Sequence, residues 1–348
     1  MWAYVLKRIA LMLPTLLGAL TITFVVMQFV PGGPVEQIMA EARATAGGGA
    51  GGEGGGYKAG RDLDKKQREE LMKLYGFDKP AYLRYFEMLG NFARFDLGRS
   101  FLQNKAVWQL IKEKLPVSIS LGLWTFLVSY AVSVPLGVAK AVREGSRFDV
   151  ASTFLVLLGY AVPGFVLGVL LIVLFAGGSF LEWFPLRGLT SDNWSELSAW
   201  GKVKDYFWHL ALPLVCLVIH SFATITLLTK NTFVEEIRKQ YVLVARAKGL
   251  SQQRVLYKHI FRNALIPLVT GFPAAFVGAF FAGSVLIETL FSLDGLGLLA
   301  YESVVRRDYP VVLGSLYLFT LIALVVKLVS DLLYVAVDPR VQFGAAAR

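Results

Sequence analysis

The residue types that most readily bind metals are few in this sequence, and their spacing argues against a metal site. There are three histidines, at positions 209, 220 and 259, and one cysteine, Cys216. His209 and His220 lie eleven residues apart in one apolar run, without the neighbouring ligands a metal needs, so interfacial hydrogen bonding is their expected task. One cysteine permits neither a disulfide framework nor a clustered-thiol metal site within the chain. No Gly-x-x-x-x-Gly-Lys-Ser/Thr occurs, so the chain cannot cradle ATP in the usual way. Three charged residues fall inside apolar runs: Glu288, Lys327 and Asp331. A charge removed from water is costly and marks either function or pairing. Lys327 and Asp331 are four apart, so one helical turn sets them on one face as a structural ion pair.

The elements that hold these residues follow from composition. Of 348 residues, 55% are apolar and 17% charged, with mean hydropathy +0.56. Soluble domains carry about a quarter charged residues, and so few charges could not cover two or three soluble surfaces. The fold class is therefore all-α, a polytopic membrane protein. Six apolar runs reach the ~20 residues needed to cross a bilayer: 9–30, 116–139, 150–176, 207–228, 264–290 and 311–337. Lipid offers nothing to open backbone, so these are expected as helices. The first follows Lys7-Arg8 as a secretory signal would. It is longer than a signal core, and Pro31-Gly32-Gly33-Pro34 is a poor cleavage site, so it reads as an uncleaved anchor.

Net charge is +10, which in a soluble protein could indicate nucleic acid, but cytoplasmic loops of membrane proteins collect Lys and Arg. Residues 140–149 carry three positive and two negative side chains, and 229–263 carry eight and two. The alternate loops, 177–206 and 291–310, carry three against four and two against three. The basic loops belong in the cytoplasm, which places both termini inside. Three regions result: 1–30, the tail and first span; 31–115, a long external segment; and 116–348, a transmembrane core. Within the second, 47–56 holds eight glycines in ten residues and reads as a flexible linker. Beyond it, Leu71, Leu74 and Tyr75 share a helical face that Gly76 ends. Pro80 then starts a helix bearing Tyr82, Tyr85, Phe86, Leu89, Phe92 and Ala93.

The loop 229–263 is much longer than a connection between spans requires. Thr232 with Glu235 reads as a capping box, Gly249 as a left-handed stop, and Ser251 as the cap of a second helix. An ordered, basic loop of this kind points to docking.

The same loop carries a resemblance. Tyr241-Val242-Leu243-Val244-Ala245-Arg246-Ala247-Lys248-Gly249-Leu250, then His259 and Arg262-Asn263-Ala264-Leu265-Ile266-Pro267, is similar to the "EAA" loop of ABC importer permeases, dipeptide/oligopeptide branch. Pro31-Gly32-Gly33-Pro34, Gly76-Phe77-Asp78-Lys79-Pro80, Asp96-Leu97-Gly98-Arg99-Ser100, Arg307-Asp308-Tyr309-Pro310 and Asp338-Pro339-Arg340 agree with that branch, in order. Gly145-Ser146-Arg147-Phe148-Asp149-Val150 and Phe184-Pro185-Leu186-Arg187-Gly188-Leu189 resemble its Yej-type members, which import peptides and the peptide antibiotic microcin C. Leu243 and Val244 stand where the general pattern has Glu and Ala, which argues against a specific Glu contact.

The resemblance implies a type I importer permease in the bacterial inner membrane, with partners: a second permease subunit, ATPase subunits or a fused double ATPase, a periplasmic peptide-binding protein, and membrane lipid, but no nucleic acid. ATP and magnesium would be used by the ATPase, so this chain is expected not to be an enzyme and to have no catalytic, cofactor-binding or metal-binding residues of its own. Ala245, Ala247 and Gly249, with Arg246 and Lys248, would form the coupling loop seated in an ATPase groove. Glu288 aligns with an acidic position of the branch and, with the small residues Gly283 and Ser284, becomes the candidate outer gate. An ion-coupled transporter working alone is the alternative; it predicts acidic or histidine residues near mid-membrane. A channel would require rings of polar residues.

Overall fold

The computed structural model describes residues 2–30, 35–36, 69–70, 72–73, 76–178, 180–281 and 285–337. Among these the structure is helical, with a single isolated β-bridge joining Arg99 and Ala106. The helices are α1 (Trp2–Phe29), α2 (Ala81–Phe92), α3 (Val107–Val142), α4 (Arg147–Ala161), α5 (Gly164–Phe175), α6 (Ala199–Ile237), α7 (Gln240–Ala247), α8 (Ile266–Phe281), α9 (Val285–Leu290), α10 (Leu296–Val305) and α11 (Tyr309–Val337). Four of them, α1, α3, α6 and α11, are long and apolar enough to cross a membrane; α4 with α5 makes a fifth if the bent pair is one span. Many large apolar side chains, such as Leu13, Ile22 and Phe29 on α1, are exposed, as a lipid-facing or partner-facing surface requires.

Several expected boundaries move, each for a local reason. The run 150–176 is not one straight helix: α4 and α5 meet at 90°. Pro163 lacks an N–H and crowds the residue before it, and Val162 accordingly takes extended angles (φ −86°, ψ 118°). Helix α6 continues past Thr232 to Ile237, so the expected capping box is absent. The Thr232 hydroxyl donates back to Thr229 O at 3.0 Å instead. Gly76 (φ +71°) and Gly249 (φ +77°) do adopt the left-handed conformation of helix stops. Pro80 does precede α2. Leu71, Leu74, Tyr75, the 47–56 tract, Gly283, Ser284 and Asp338-Pro339-Arg340 lie outside the described residues.

The chain forms two compact units. One comprises Met1–Leu6, Lys114–Leu298 and Ala323–Arg348; the other comprises Lys7–Glu113 and Leu299–Ile322. Among the described residues, two clusters of buried side chains form in the first. One gathers Leu121, Leu210, Cys216, Ile287 and Phe291; the other gathers Ala141, Phe233, Val242, Ala245, Val255 and Ile260. In the second unit, α2 packs its inner face on α1 and α11: the Tyr85 hydroxyl lies 2.6 Å from Thr21 Oγ1, and Phe92 meets Tyr317 with ring centres 5.0 Å apart. Tyr82 and Phe86 of the expected aromatic stripe point outward.

Candidate functional site

The loop after α6 is a folded module. At its entry the Glu236 carboxylate accepts from Tyr241 Oη at 2.7 Å and pairs with Lys239. Burial, and then donation to Glu236, pushes the Tyr241 phenol up to about 12. Helix α7 follows, and Gly249 N donates to Arg246 O at 2.9 Å to close it. Ser251 Oγ accepts from Arg254 N, as expected of the cap. The chain then passes through Gln252–Arg254, a π-helical turn Val255–Ile260 and Phe261–Ala264 before α8. Such turns recur at functional sites.

Side chains of α7 and the stop that follows it divide sharply. Val242 and Ala245 point into the module's core, against Phe233, Val255 and Ile260. Leu243 (59% exposed), Val244 (53%), Arg246, Ala247, Lys248 and Gly249 point out. Ala245 is therefore not available to a groove, a correction to the expectation: its small side chain lets α7 sit close on its own core. The outward surface is carried by Ala247 and Gly249 with Leu243 and Val244, flanked by Arg246 and Lys248. The departures from the general pattern thus fall on the exposed side.

A buried charge cluster joins three of the helices beside this module, and sequence reasoning missed it. Lys140, at the end of α3, is fully buried. Its Nζ donates to Asp149 O (2.9 Å), Ser152 Oγ (2.8 Å) and Thr153 Oγ1 (2.7 Å), and lies 3.1 Å from Asp149 Oδ1. Lys230 of α6 reaches Asp149 Oδ2 at 2.7 Å. One carboxylate and two ammonium groups thereby join α3, α4 and α6. On the surface beside them, Arg238 makes two contacts to Glu144, at 2.9 and 3.0 Å. The sequence signal was the Ser146…Asp149 cap with a lysine one turn before the loop, which charge counting treated only as topology.

In the same unit a cavity of about 670 Å³ opens between α3, α5, α6, α8 and α9. Polar points dot an apolar wall: Ser118, Thr125, His220, Ser221, Thr224 and Glu288. His220 stacks on Tyr160, with centroids 4.6 Å apart. Glu288 is fully buried. Its Oε2 accepts Leu298 N at 2.8 Å, while Ser118 Oγ accepts Leu296 N at 2.8 Å. The carboxylate thus caps the first turn of α10 from a different helix. The close approach is possible because Gly295 has no side chain: a Cβ there would lie 2.7 Å from Glu288 Oε2.

The other predicted residues are quickly placed. Among the described residues no ion pair joins Lys327 to Asp331. Asp331 accepts the Tyr4 hydroxyl at 2.9 Å, and Lys327 is exposed. Spacing allows the pair, but a tyrosine from α1 supplies the partner. His209 Nδ1 lies 2.9 Å from Asp205 O, within its own helix, so it is a helix-bonded histidine. No group of three or more metal-ligating side chains occurs among the described residues.

Long apolar helices around a cavity, with a folded basic module at their ends, define a helical membrane permease. More narrowly, the chain belongs to the family of binding-protein-dependent transport system inner membrane components, whose model matches residues 133–343. It is 54% identical to the peptidoglycan transport system permease protein YejB of Agrobacterium fabrum (strain C58), over 99% of both chains. It is 50% identical to the inner membrane ABC transporter permease protein YejB of Escherichia coli O157:H7, again over 99% of both. The oligopeptide transport system permease protein AppB of Bacillus subtilis (strain 168) is 32% identical, over 99% of this chain and all of that one. These relatives are transporter subunits, not enzymes. A solved methionine ABC transporter, MetNI, in an inward-facing conformation matches at TM-score 0.47 and 16% identity, over 66% of this chain and 97% of that one.

Proposed function

We propose that this chain is one permease subunit of an ABC importer that carries peptides across the bacterial inner membrane. The observation that carries the reading is α7: an apolar strip of Leu243, Val244 and Ala247, left exposed on a module whose own core is complete. A strip of this kind between Arg246 and Lys248 suits a groove on a separate polypeptide, here the ATPase. That subunit would use the ATP and magnesium, and this chain would bind neither. A second permease would complete the pathway, which the 670 Å³ cavity would line on this side. A periplasmic binding protein would deliver peptide. The topology that fits is six spans with both termini inside, 264–290 forming the fifth, and regions 1–30, 31–115 and 116–348 as anchor, external segment and core. The relatives named for oligopeptide and peptidoglycan transport support peptides as cargo; microcin C-like antibiotics would enter by the same route.

Reconstitution tests this. Proteoliposomes holding the chain with its companion subunits should take up labelled peptide only with ATP, and uptake should survive collapse of ion gradients. Uptake driven by a gradient without ATP would replace this reading with an ion-coupled transporter. Reporter fusions at Gly145 and Gly249 should report cytoplasm, and those at Gly52 and Gly188 the outside.

A further inference from the structure

The cavity between α3, α5, α6, α8 and α9 engages much of its polar lining in its own structure. Ser118 Oγ and Glu288 Oε2 accept Leu296 N and Leu298 N at 2.8 Å each, and the Glu288 side chain is fully buried. The Thr125 hydroxyl is buried as well. No Lys or Arg lines the cavity among the described residues. On this chain's side, a ligand therefore meets no ammonium, no guanidinium and no open carboxylate.

The polar groups that stay open lie on one helix. Cys216, Leu217, His220, Ser221, Thr224 and Ile225 of α6 all line the cavity, at the three- and four-residue spacing of a single helical face. His220 and Thr224 are exposed there, and Ser221 is half-buried. Tyr160 of α4 stacks on the imidazole with ring planes 20° apart, which fixes the ring's orientation. Neither ring nitrogen of His220, nor the Ser221 hydroxyl, has a hydrogen-bond partner among the described residues. Thr224 Oγ1 makes one long bond, 3.3 Å to His220 O, and keeps its acceptor capacity. The sequence places His220 well inside the apolar run 207–228.

We infer, resting on the import reading above, that His220, Ser221 and Thr224 form an uncharged track that hydrogen-bonds the backbone of the passing peptide. A peptide unit carries one donor and one acceptor, and loses water partners for both in an apolar cavity. A neutral imidazole offers one donor and one acceptor, and each hydroxyl offers both. The spacing suits an extended chain. His220 and Thr224 are four residues apart, about 6 Å along the helix, and peptide units on the same side of an extended chain recur about every 6.8 Å. A track of this kind reads amides, which every peptide has, and leaves side chains to the apolar wall. It selects for peptide without selecting among sequences.

The test is a cycle between protein and peptide, run in proteoliposomes that hold the chain with its companion subunits. His220→Phe keeps a ring against Tyr160 and removes both nitrogens. A set of neutral peptides, each N-methylated at one amide, removes backbone donors one at a time. The external receptor is the same throughout, so its own preference cancels between wild type and variant. For at least one amide, the ratio of plain to methylated uptake should be about fivefold larger in wild type than in His220→Phe, the size of one hydrogen bond. Ser221→Ala combined with Thr224→Val should flatten the ratio likewise, and decides the matter should His220→Phe fail to fold. Equal ratios in wild type and these variants would overturn the track. An effect of His220→Phe confined to acidic peptides would also overturn it, since the imidazole would then be serving as a cation. Wild type that imports no peptide with ATP would instead defeat the import reading, and the track with it.

Discussion

At the scale of single residues, two hydrogen-bonded groups carry testable weight. The Tyr241 phenol, pushed up to about 12, stays protonated in the fold well past its ordinary value of 10.0. As pH rises, the unfolded chain gives up this proton first. The Tyr241 contribution to stability is therefore intact below about pH 10 and lost between there and about pH 12. Tyr241→Phe should abolish that alkaline component and cost about 1 kcal/mol at neutral pH; unfolding midpoints of the detergent-purified chain from pH 8 to 11.5 would show both. The second group is Glu288. A sequence shows that it is a carboxylate in an apolar run, but not that it caps α10. Gly295→Ala would thrust a methyl against the carboxylate, and Glu288→Ala would leave the Leu298 N–H without its acceptor. Each should cost roughly 1–3 kcal/mol, while Glu288→Gln, which keeps an acceptor, should cost less. If Gly295→Ala leaves the thermal midpoint unmoved, the cap is not tight.

At the scale of elements, hydropathy found where helices lie because burial in lipid demands long apolar runs, and α1, α3, α6 and α11 follow it. It could not find where they end. Residues 107–115 and 199–206 extend α3 and α6 past their apolar runs; in the first, Val107, Leu110 and Ile111 are fully buried, a helical face that a window average over Lys112, Glu113 and Lys114 hides. The 90° bend at Pro163 was legible in principle, since Val162 must avoid the helical region, but a window average hides one residue. Helix contacts were less legible still. Gly137 is one of many glycines in the sequence, yet a Cβ there would lie 2.5 Å from Thr229 Cβ and 2.8 Å from Thr226 O. Backbone cannot retreat as a flexible side chain can. Gly137→Ala should therefore separate α3 from α6, disturb the Lys140–Asp149–Lys230 cluster one turn away, and cost about 1–3 kcal/mol. Asp149→Asn should cost more, about 3–5 kcal/mol, since it leaves Lys140 buried and short of its counter-charge. Comparing the two by thermal unfolding would rank packing against ion pairing at this junction.

At the scale of the whole molecule, function turns on whether motion elsewhere reaches the spans through α7. The sequence pattern assigned Ala245 to an outward contact, and the fold turns it inward, because small residues serve a tight internal contact as well as a tight external one. Ala245 does the first; Ala247 is exposed and free to do the second. The module packs on Ala141 of α3 and Phe233 of α6 and runs into α8 by the helical path from Ser251, so a push on α7 would reach those three helices. Two variants separate docking from transmission. Ala247→Trp adds bulk on the exposed side without entering the module's core, so the chain should fold and insert normally. It should lose co-purification with the ATPase and ATP-driven uptake together. Gly249→Val meets no steric neighbour within 4 Å, so its cost is backbone strain at φ +77°, of order 1–3 kcal/mol. It should distort the stop after α7 and impair uptake while leaving part of the association intact. Binding of peptide by the external receptor should be unchanged in both. Wild-type association and uptake in Ala247→Trp would show that the exposed strip meets no groove, and the basic loop would then be a topological anchor alone.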